Sequence, residues 1–197
     1  MTQVFTPIVR RQLSQMFLAE LFFQISECVL AIIFRGNPKA TLQILLFNKT
    51  YLFDMIFALS EYFIEVFLVP ELKELLWISN LGLLMAITGE IIRKIAMITA
   101  GYAFTHQIRT SRDVNHQLVT HGIYKYMRHP GYSGYLIWSV GIQIMLCSPL
   151  STIRASNVIW RFLYERILLE ENSLRKLFGA QYDEYARGVP SGVPFVK

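Results

Sequence analysis

The chain has 197 residues, of which only 17% are charged and 53% are hydrophobic. A soluble domain carries about a quarter charged residues, so this composition argues against a soluble protein and indicates an integral membrane protein of one domain. The formal net charge is +5, but the basic residues lie mostly at the ends, in the loops and in the second half, and no RNA- or DNA-binding motif accompanies them, so we expect no nucleic-acid partner.

Five apolar segments predict an all-α fold, a polytopic helical bundle in a membrane. They cover residues 12–34, 51–69, 77–100, 132–147 and 152–178. The first three approach the roughly 20 residues that a helix needs to cross a bilayer. The fourth is shorter, and Pro149 lies in the gap before the fifth. A short helix, a proline and another helix predict a tight C-terminal hairpin.

Charge alone leaves the orientation of the bundle open. Arg10 and Arg11 favour a cytosolic N-terminus, whereas the basic stretch 109–128 favours the cytosol for the loop after the third helix. Three complete crossings cannot satisfy both. We give more weight to the longer basic stretch in the second half.

Acidic residues interrupt the apolar segments at helical spacing. Asp54, Glu61 and Glu65 share one face of the second helix, and Glu20 and Glu27 are seven residues apart in the first. Ionisable groups at membrane depth are costly and usually face a bundle interior or water. These acids therefore either line a polar groove between helices, or pair with one another or lie near the membrane interface.

Polar and small residues are concentrated in LVTHGIYKYMRHPGYSGYLIWSVG, residues 118–141. His129 precedes a proline and should be extended, and Pro130 suits the first turn of the following helix. Gly131 and Gly134 allow a ligand or another backbone to approach closely. Because free N–H groups at a helix start can hold a carboxylate, this junction could bind a small anionic or zwitterionic ligand. The alternative is an ordinary helix start within an interfacial aromatic belt.

A metal site is the first alternative for the histidines of this region. They are ten, five and eight residues apart, without a nearby cysteine, at His106, His116, His121 and His129. Zinc ligands usually come in pairs about two to five residues apart, supported by cysteines or carboxylates. We therefore expect no metal and favour hydrogen bonding of these rings to a polar ligand.

The fifth helix carries a second polar group, in WRFLYERILLEENSLRKLFG, residues 160–179. Arg166 and Glu170 are one turn apart and share a face. In one interpretation this is a salt-bridged helix end that Gly179 terminates. In the other, Arg166 holds a substrate carboxylate and Glu170 faces a cationic ligand. No GxGxxG, Walker or GxSxG motif is present, so the sequence does not indicate a nucleotide-binding fold of the soluble type.

Together these motifs resemble those of a known membrane enzyme family. LVTHGIYKYMRHPGYSGYLIWSVG, CSPLS, WRFLYERILLEENSL, FGAQYDEYA and VPSGVPF follow one another as in the protein-S-isoprenylcysteine O-methyltransferase family, and the compact plant-like members are most similar. The resemblance is firm over residues 89–197 and weaker over the first two helices. It implies a single domain, in which residues 1–103 form N-terminal membrane helices and residues 104–197 bind cofactor and substrate.

The resemblance also implies an activity. S-adenosylmethionine would donate a methyl group to the C-terminal prenylcysteine carboxylate of processed CaaX proteins, such as small GTPases. The enzyme would be a multi-pass protein of the endoplasmic reticulum membrane, in contact with lipid, with a cofactor pocket and active site that face the cytosol. A carboxylate is already a nucleophile, so the reaction needs alignment and exclusion of water rather than a strong base.

The resemblance assigns roles to particular residues. Arg166 would bind the substrate carboxylate, and Arg166 and Glu170 would be the catalytic residues. The positions implied for cofactor binding are Arg109, His116, Gln117, Leu118, Val119, Tyr124, His129, Pro130, Gly131, Tyr132 and Glu170. Arg93 matches a further basic position in the third helix. Gly131 stands where serine is usual, and Tyr135 where tryptophan is usual.

Three alternative functions remain open from the sequence. A phospholipid methyltransferase would share the donor but not the acceptor. An NADPH-dependent sterol reductase also carries an Arg-His pair near an aromatic-rich helix start, although this chain is short for such an enzyme. A catalytically weak membrane scaffold is the non-enzymatic alternative.

Overall fold

The computed structural model of the protein describes residues 6–35, 49–106 and 117–196, and these contain helices but no strand. Within these three ranges six α-helices follow one another: α1 (Pro7–Arg35), α2 (Lys49–Leu68), α3 (Leu76–Ala100), α4 (Pro130–Met145), α5 (Pro149–Phe178) and α6 (Ala180–Gly188). The all-α prediction is confirmed for these residues.

The helix boundaries follow the turn residues of the sequence. Pro130 and Pro149 stand in the first turns of α4 and α5, where a missing N–H group costs nothing. Gly179 ends α5 with a φ of 55°, a conformation that favours glycine. The short α6 restarts after it and was not predicted, because its nine residues are mostly polar and carry no long apolar stripe.

One described helix, α1, is long and apolar enough to cross a membrane when length and composition are the only criteria. Large apolar side chains nevertheless stay exposed on α2 and α3 as well, including Phe53, Phe67, Trp77 and Leu84. Exposed apolar surface of this extent is typical of proteins that contact lipid.

The contact of α3 with α4 brings two backbones unusually close. A Cβ atom at Gly89 would lie 2.4 Å from the backbone nitrogen of Trp138, and one at Gly134 would lie 2.6 Å from the carbonyl oxygen of Gly89. Gly82 and Gly141 repeat this arrangement one heptad away. Small residues are the usual means of close helix packing in membranes. The close approach expected at Gly134 is therefore that of another helix.

The acids of α2 bind the hairpin formed by α4 and α5. Glu61 accepts hydrogen bonds from the backbone N–H groups of Leu150 at 2.8 Å and Ser151 at 2.6 Å, and so caps the start of α5 from a different helix. Asp54 pairs with Arg154 of α5. The Glu61 contacts satisfy helix-end donors that would otherwise be costly inside an apolar bundle.

A buried lysine binds carbonyl groups at the C-terminal end of α4. Lys73 is 2% exposed, and its Nζ donates to the carbonyl oxygens of Leu146 at 2.9 Å and Cys147 at 3.1 Å, just beyond α4. Its charge is balanced by Glu65, whose Oε2 lies 2.6 Å away. A cation at a helix C-terminus also complements the helix dipole.

The C-terminal segment returns to the start of α4. The backbone N–H of Arg128 donates to the carbonyl of Pro190, and that of His129 to the carbonyl of Ser191, both at 2.9 Å. Trp160 of α5 donates its indole N–H to the carbonyl of Pro194 at 2.7 Å. His129 is not helical, with φ −123° and ψ 56°, as the following proline predicts.

We expect Gly89→Ala to destabilise the protein, because the new methyl group would meet the backbone of α4 rather than a movable side chain. Overpacking typically costs about 1–3 kcal/mol. Thermal unfolding of the purified protein in detergent measures the effect. Gly188→Ala is the matched control, since nothing lies within 4 Å of a Cβ there. Equal unfolding midpoints for the two variants would contradict the close α3–α4 contact.

Candidate active site

A cavity opens beside the start of α4, and the space between its walls, including the part that is open to solvent, is about 920 Å³. Its walls come from the end of α3, residues 103–105 and 117–119, the turn Gly122–Lys125, the start of α4, the second half of α5, and α6. The residues that line it are Ala100, Ala103, Phe104, Thr105, Gln117, Leu118, Val119, Tyr124, Arg128, His129, Gly131, Tyr132, Glu170, Ser173, Leu174, Tyr182 and Tyr185.

Most of the residues singled out in the sequence meet at this cavity. Those on its wall are Gln117, Leu118, Val119, Tyr124, His129, Gly131, Tyr132 and Glu170. Pro130 is buried in the turn between His129 and Gly131, and Arg166 lies one turn before Glu170. Arg109 and His116 fall outside the described residues.

Tyr132 connects the two charged residues of α5. Its hydroxyl donates to Oε2 of Glu170 at 2.6 Å and accepts from Nε of Arg166 at 2.9 Å. Arg166 also donates through Nη2 to the carbonyl oxygen of His106. The predicted pair of α5 is thus linked through a phenol of α4, which sequence spacing could not reveal because the linking residue is 34 positions away.

A buried ion pair holds α5 against the junction. Glu171 is 3% exposed, and its Oε1 accepts from Nε of Arg128 at 2.9 Å and Nη2 at 2.6 Å. Nε2 of His129 lies 3.2 Å from the same oxygen. Arg128 also donates through Nη1 to the carbonyl of Ala186 in α6 at 3.0 Å. The sequence analysis did not predict this pair. Its only signals in the sequence were the arginine directly before His129 and the glutamate directly after Glu170.

Arg93 approaches the same junction from α3. Its Nη1 donates to the carbonyl oxygen of Gly131 at 2.9 Å, while Nε and Nη2 donate to the two carboxylate oxygens of Glu27, each at 2.8 Å. Both side chains are buried. The resemblance pointed to Arg93, but Glu27 is a partner from the distant α1, 66 residues earlier.

Two partly buried tyrosines line the side of this cavity that is formed by the turn Gly122–Lys125 and α6. The hydroxyl of Tyr185 donates to the backbone carbonyl of Tyr124 at 2.6 Å, and burial raises the pKa of Tyr185 to about 12. Burial, reinforced by Glu170, also raises the pKa of Tyr124 above its ordinary value. The Tyr124 hydroxyl donates to the carbonyl of Ala96 in α3 at 3.4 Å, so the two tyrosines connect the turn Gly122–Lys125 with α6 and α3.

Gly131 packs under an aromatic ring. A Cβ at this position would lie 3.2 Å from Cε2 of Phe104 and 4.0 Å from the Cβ of Ala96. Phe104 lines the cavity, so a serine here would require its ring to move by a few tenths of an ångström. A glycine at position 131, where the resemblance implies serine, therefore leaves room for the ring of Phe104.

Two of the described histidines each lie against a different carboxylate. His106 lies 2.8 Å from Glu27, and His129 lies 3.2 Å from Glu171. Within residues 6–35, 49–106 and 117–196, no three His, Cys, Asp or Glu side chains are grouped so that they could hold a metal ion.

The chain is similar to known proteins over its whole length. The solved structure of the eukaryotic intramembrane Ras methyltransferase ICMT superimposes with a TM-score of 0.92 at 35% identity, covering 97% of this chain and 69% of that chain. The fold is therefore that of an intramembrane methyltransferase.

Sequence relatives define the family more closely. The model of the isoprenylcysteine carboxyl methyltransferase (ICMT) family matches residues 81–176. Protein-S-isoprenylcysteine O-methyltransferase B of Arabidopsis thaliana is 55% identical over 196 residues, covering 100% of both chains. The Xenopus laevis enzyme is 40% identical over 179 residues, covering 89% of this chain and 62% of that enzyme. The chain belongs to the isoprenylcysteine carboxyl methyltransferase family.

We expect Glu171→Gln to destabilise the protein strongly, because it leaves the Arg128 guanidinium buried without its counter-charge. Breaking a buried pair typically costs about 3–5 kcal/mol. Glu165→Gln, on the same helix, removes only an exposed pair with Arg161 and should change stability by less than about 0.5 kcal/mol. Denaturant unfolding in detergent measures both. Equal stabilities would show that the Glu171 pair is not a structural clamp.

Proposed function

We propose that the protein transfers a methyl group from S-adenosylmethionine to the C-terminal prenylcysteine α-carboxylate of processed CaaX proteins, such as small GTPases. The observation that carries the proposal is the Arg166–Tyr132–Glu170 connection. The connected residues are a cation suited to a carboxylate and an anion suited to a sulfonium, which share one helix face at the edge of the first cavity.

A second cavity supports the position of the acceptor. It has a volume of about 800 Å³ and lies among α1, α2, α4 and α5. On α5 it is lined by residues between Ala155 and Phe162, whereas the first cavity is lined by residues from Glu170 onward. Arg166 lies between these two sets. A guanidinium at this level could hold a carboxylate whose lipid chain occupies the second cavity.

The walls of the second cavity suit a prenyl chain. They are mainly apolar, with Met55, Trp138, Ile142, Val158, Ile159 and Phe162. Burying a hydrocarbon chain contributes about 0.8 kcal/mol per CH₂ group. Lipid binding could therefore provide most of the acceptor affinity, which leaves Arg166 to orient the carboxylate.

The lining of the first cavity suits the charge of the donor. We assign the donor to the wall formed by Gln117, Leu118, Val119, Tyr124, His129, Pro130, Gly131, Tyr132 and Glu170, with Arg109 and His116 as further candidates. When bound there, S-adenosylmethionine would supply a methyl group on a positively charged sulfur. Glu170 would offset that charge, and Tyr124 and Tyr185 would restrict access of water.

The chemistry asks little acid or base work of the protein. The acceptor carboxylate is a nucleophile as it stands, so Arg166 need only orient it, and Tyr132 holds the guanidinium in place. We further propose that residues 1–197 act as one domain in the endoplasmic reticulum membrane, with several crossings and with the first cavity open to the cytosol.

The direct test is methyl transfer by the purified protein from labelled S-adenosylmethionine to N-acetyl-farnesylcysteine. We expect a base-labile methyl ester, and no ester at any acceptor concentration would refute the function. Phosphatidylethanolamine is the parallel acceptor: methylation of this lipid alone would indicate a phospholipid methyltransferase instead.

We expect Arg166→Ala and Glu170→Ala each to lower turnover by about 10²-fold or more, by analogy with lost charge-stabilising contacts. Arg161→Ala is the matched control on the same helix, because the Arg161 side chain is 80% exposed. Thermal unfolding verifies that each variant is folded. Near-normal turnover of either folded variant would remove that residue from the proposed site.

We expect Tyr132→Phe to lower kcat/KM by about tenfold, which corresponds to about 1.4 kcal/mol, since it removes the two hydrogen bonds that connect Arg166 and Glu170. Tyr126→Phe is the control, because Tyr126 is 74% exposed in the neighbouring turn. Steady-state kinetics with both substrates measure the effect. Identical kinetics of the two variants would show that the phenol does not position Arg166 and Glu170.

A further inference from the structure

We propose that Glu27 of α1 is a positioning residue for methyl transfer, which holds the donor wall and the acceptor-binding arginine in a fixed mutual arrangement. This inference rests on the proposed function and extends it to a helix outside the motifs of residues 89–197. It concerns a carboxylate that lines neither cavity itself, but whose partners Arg93 and His106 are hydrogen-bonded to Gly131 of the first cavity and to Arg166.

The surroundings of Glu27 are unusual for a carboxylate in an apolar helix. Its side chain is 0% exposed, and it is bound by Arg93 through two bonds of 2.8 Å, by Lys94 at 2.5 Å and by Nε2 of His106 at 2.8 Å. Desolvating such a group is costly, and well-packed apolar residues often give equal or greater stability. Stability alone is thus a weak reason for a buried charge cluster at this place.

The first connection leads from Glu27 to the donor wall. Two nitrogens of Arg93 bind Glu27, and the third donates to the carbonyl oxygen of Gly131 at 2.9 Å. Gly131 belongs to the first turn of α4 and lines the first cavity. Since the planar guanidinium is fixed at its other edge by the carboxylate, Glu27 sets where this turn lies relative to α3.

The second connection leads from Glu27 to Arg166. Glu27 binds the ring of His106, and the backbone carbonyl of His106 accepts a hydrogen bond from Nη2 of Arg166. The ring of Phe104, which lines the first cavity, packs edge-on against the His106 ring with centroids 5.4 Å apart. The segment after α3 is therefore held between Glu27 and Arg166.

One carboxylate thus orients groups on both sides of the reaction. A displacement of about 1 Å between donor and acceptor can cost about 10²-fold in rate. We expect loss of Glu27 to disturb both substrates, because Gly131 belongs to the donor side and Arg166 to the acceptor side. A residue that only stabilised the bundle would leave the affinities of the folded protein unchanged.

The chain offers a matched control for that distinction. Glu65, whose side chain is 13% exposed, pairs with the buried Lys73 at 2.6 Å, but Lys73 contacts the end of α4 at Leu146 whereas Arg93 contacts its first turn. The contacted carbonyls belong to Gly131 and Leu146, which are 15 residues and therefore about 22 Å apart along a helix with a rise of 1.5 Å per residue. Glu65→Gln therefore breaks an ion pair at the opposite end of α4 from Gly131 and from Tyr132, which binds Arg166.

The experiment compares Glu27→Gln with Glu65→Gln and the unmodified protein. S-adenosylhomocysteine affinity is measured by calorimetry, and KM for N-acetyl-farnesylcysteine and kcat by the methyl-ester assay. We expect Glu27→Gln to weaken S-adenosylhomocysteine binding and to raise the acceptor KM, each by about tenfold or more. We expect Glu65→Gln to lower the unfolding midpoint without either change.

If Glu27→Gln does not fold, Glu27→Asp provides the same test. It keeps the charge, but its shorter side chain cannot reach Arg93 and His106 at once, so a folded Glu27→Asp variant should show the same two changes. Unchanged affinities in a folded Glu27 variant, or equal changes in Glu65→Gln, would overturn the inference. Absence of methyl transfer by the unmodified protein would instead refute the proposed function, while the S-adenosylhomocysteine measurement still judges Glu27.

Discussion

The near contact of the α3 and α4 backbones is the constraint on which the rest of the structure depends. Gly89 and Gly134 leave no room for side chains between the two helices, and Arg93 follows Gly89 by one turn. The guanidinium therefore reaches the first turn of α4 and binds the Gly131 carbonyl. With larger residues between these helices, Arg93 would be too far from the junction to take part in the site.

The short α4 also explains the buried charges of the bundle. Both of its ends lie inside the protein, so backbone groups that would normally meet water need partners there. Arg93 binds a carbonyl of its first turn, and Lys73 binds the carbonyls just beyond its last. Glu27 and Glu65 balance these cations from other helices. Two of the acids that interrupt α1 and α2, Glu27 and Glu65, are thus explained by the ends of α4.

The same arrangement separates the two cavities. The hairpin formed by α4 and α5 presents Tyr132 and Glu170 to one cavity and Tyr135 and Phe162 to the other. Arg166 lies at the boundary, held by Tyr132 and by the segment after α3. A polar donor and a lipid acceptor could meet there without either leaving the solvent that suits it, which is the principal demand of the proposed reaction.

The sequence by itself determined the helical class, the breaks at Pro130, Pro149 and Gly179, and the grouping of candidate residues around His129 and Glu170, because local backbone preferences and helical period act over a few residues. Only the tertiary structure decided that Tyr132 links Arg166 to Glu170, that Glu171 binds Arg128, and that Glu27 binds Arg93. These partners are 34 to 66 residues apart, and the distance between them depends on how closely the helices pack, which no local pattern records.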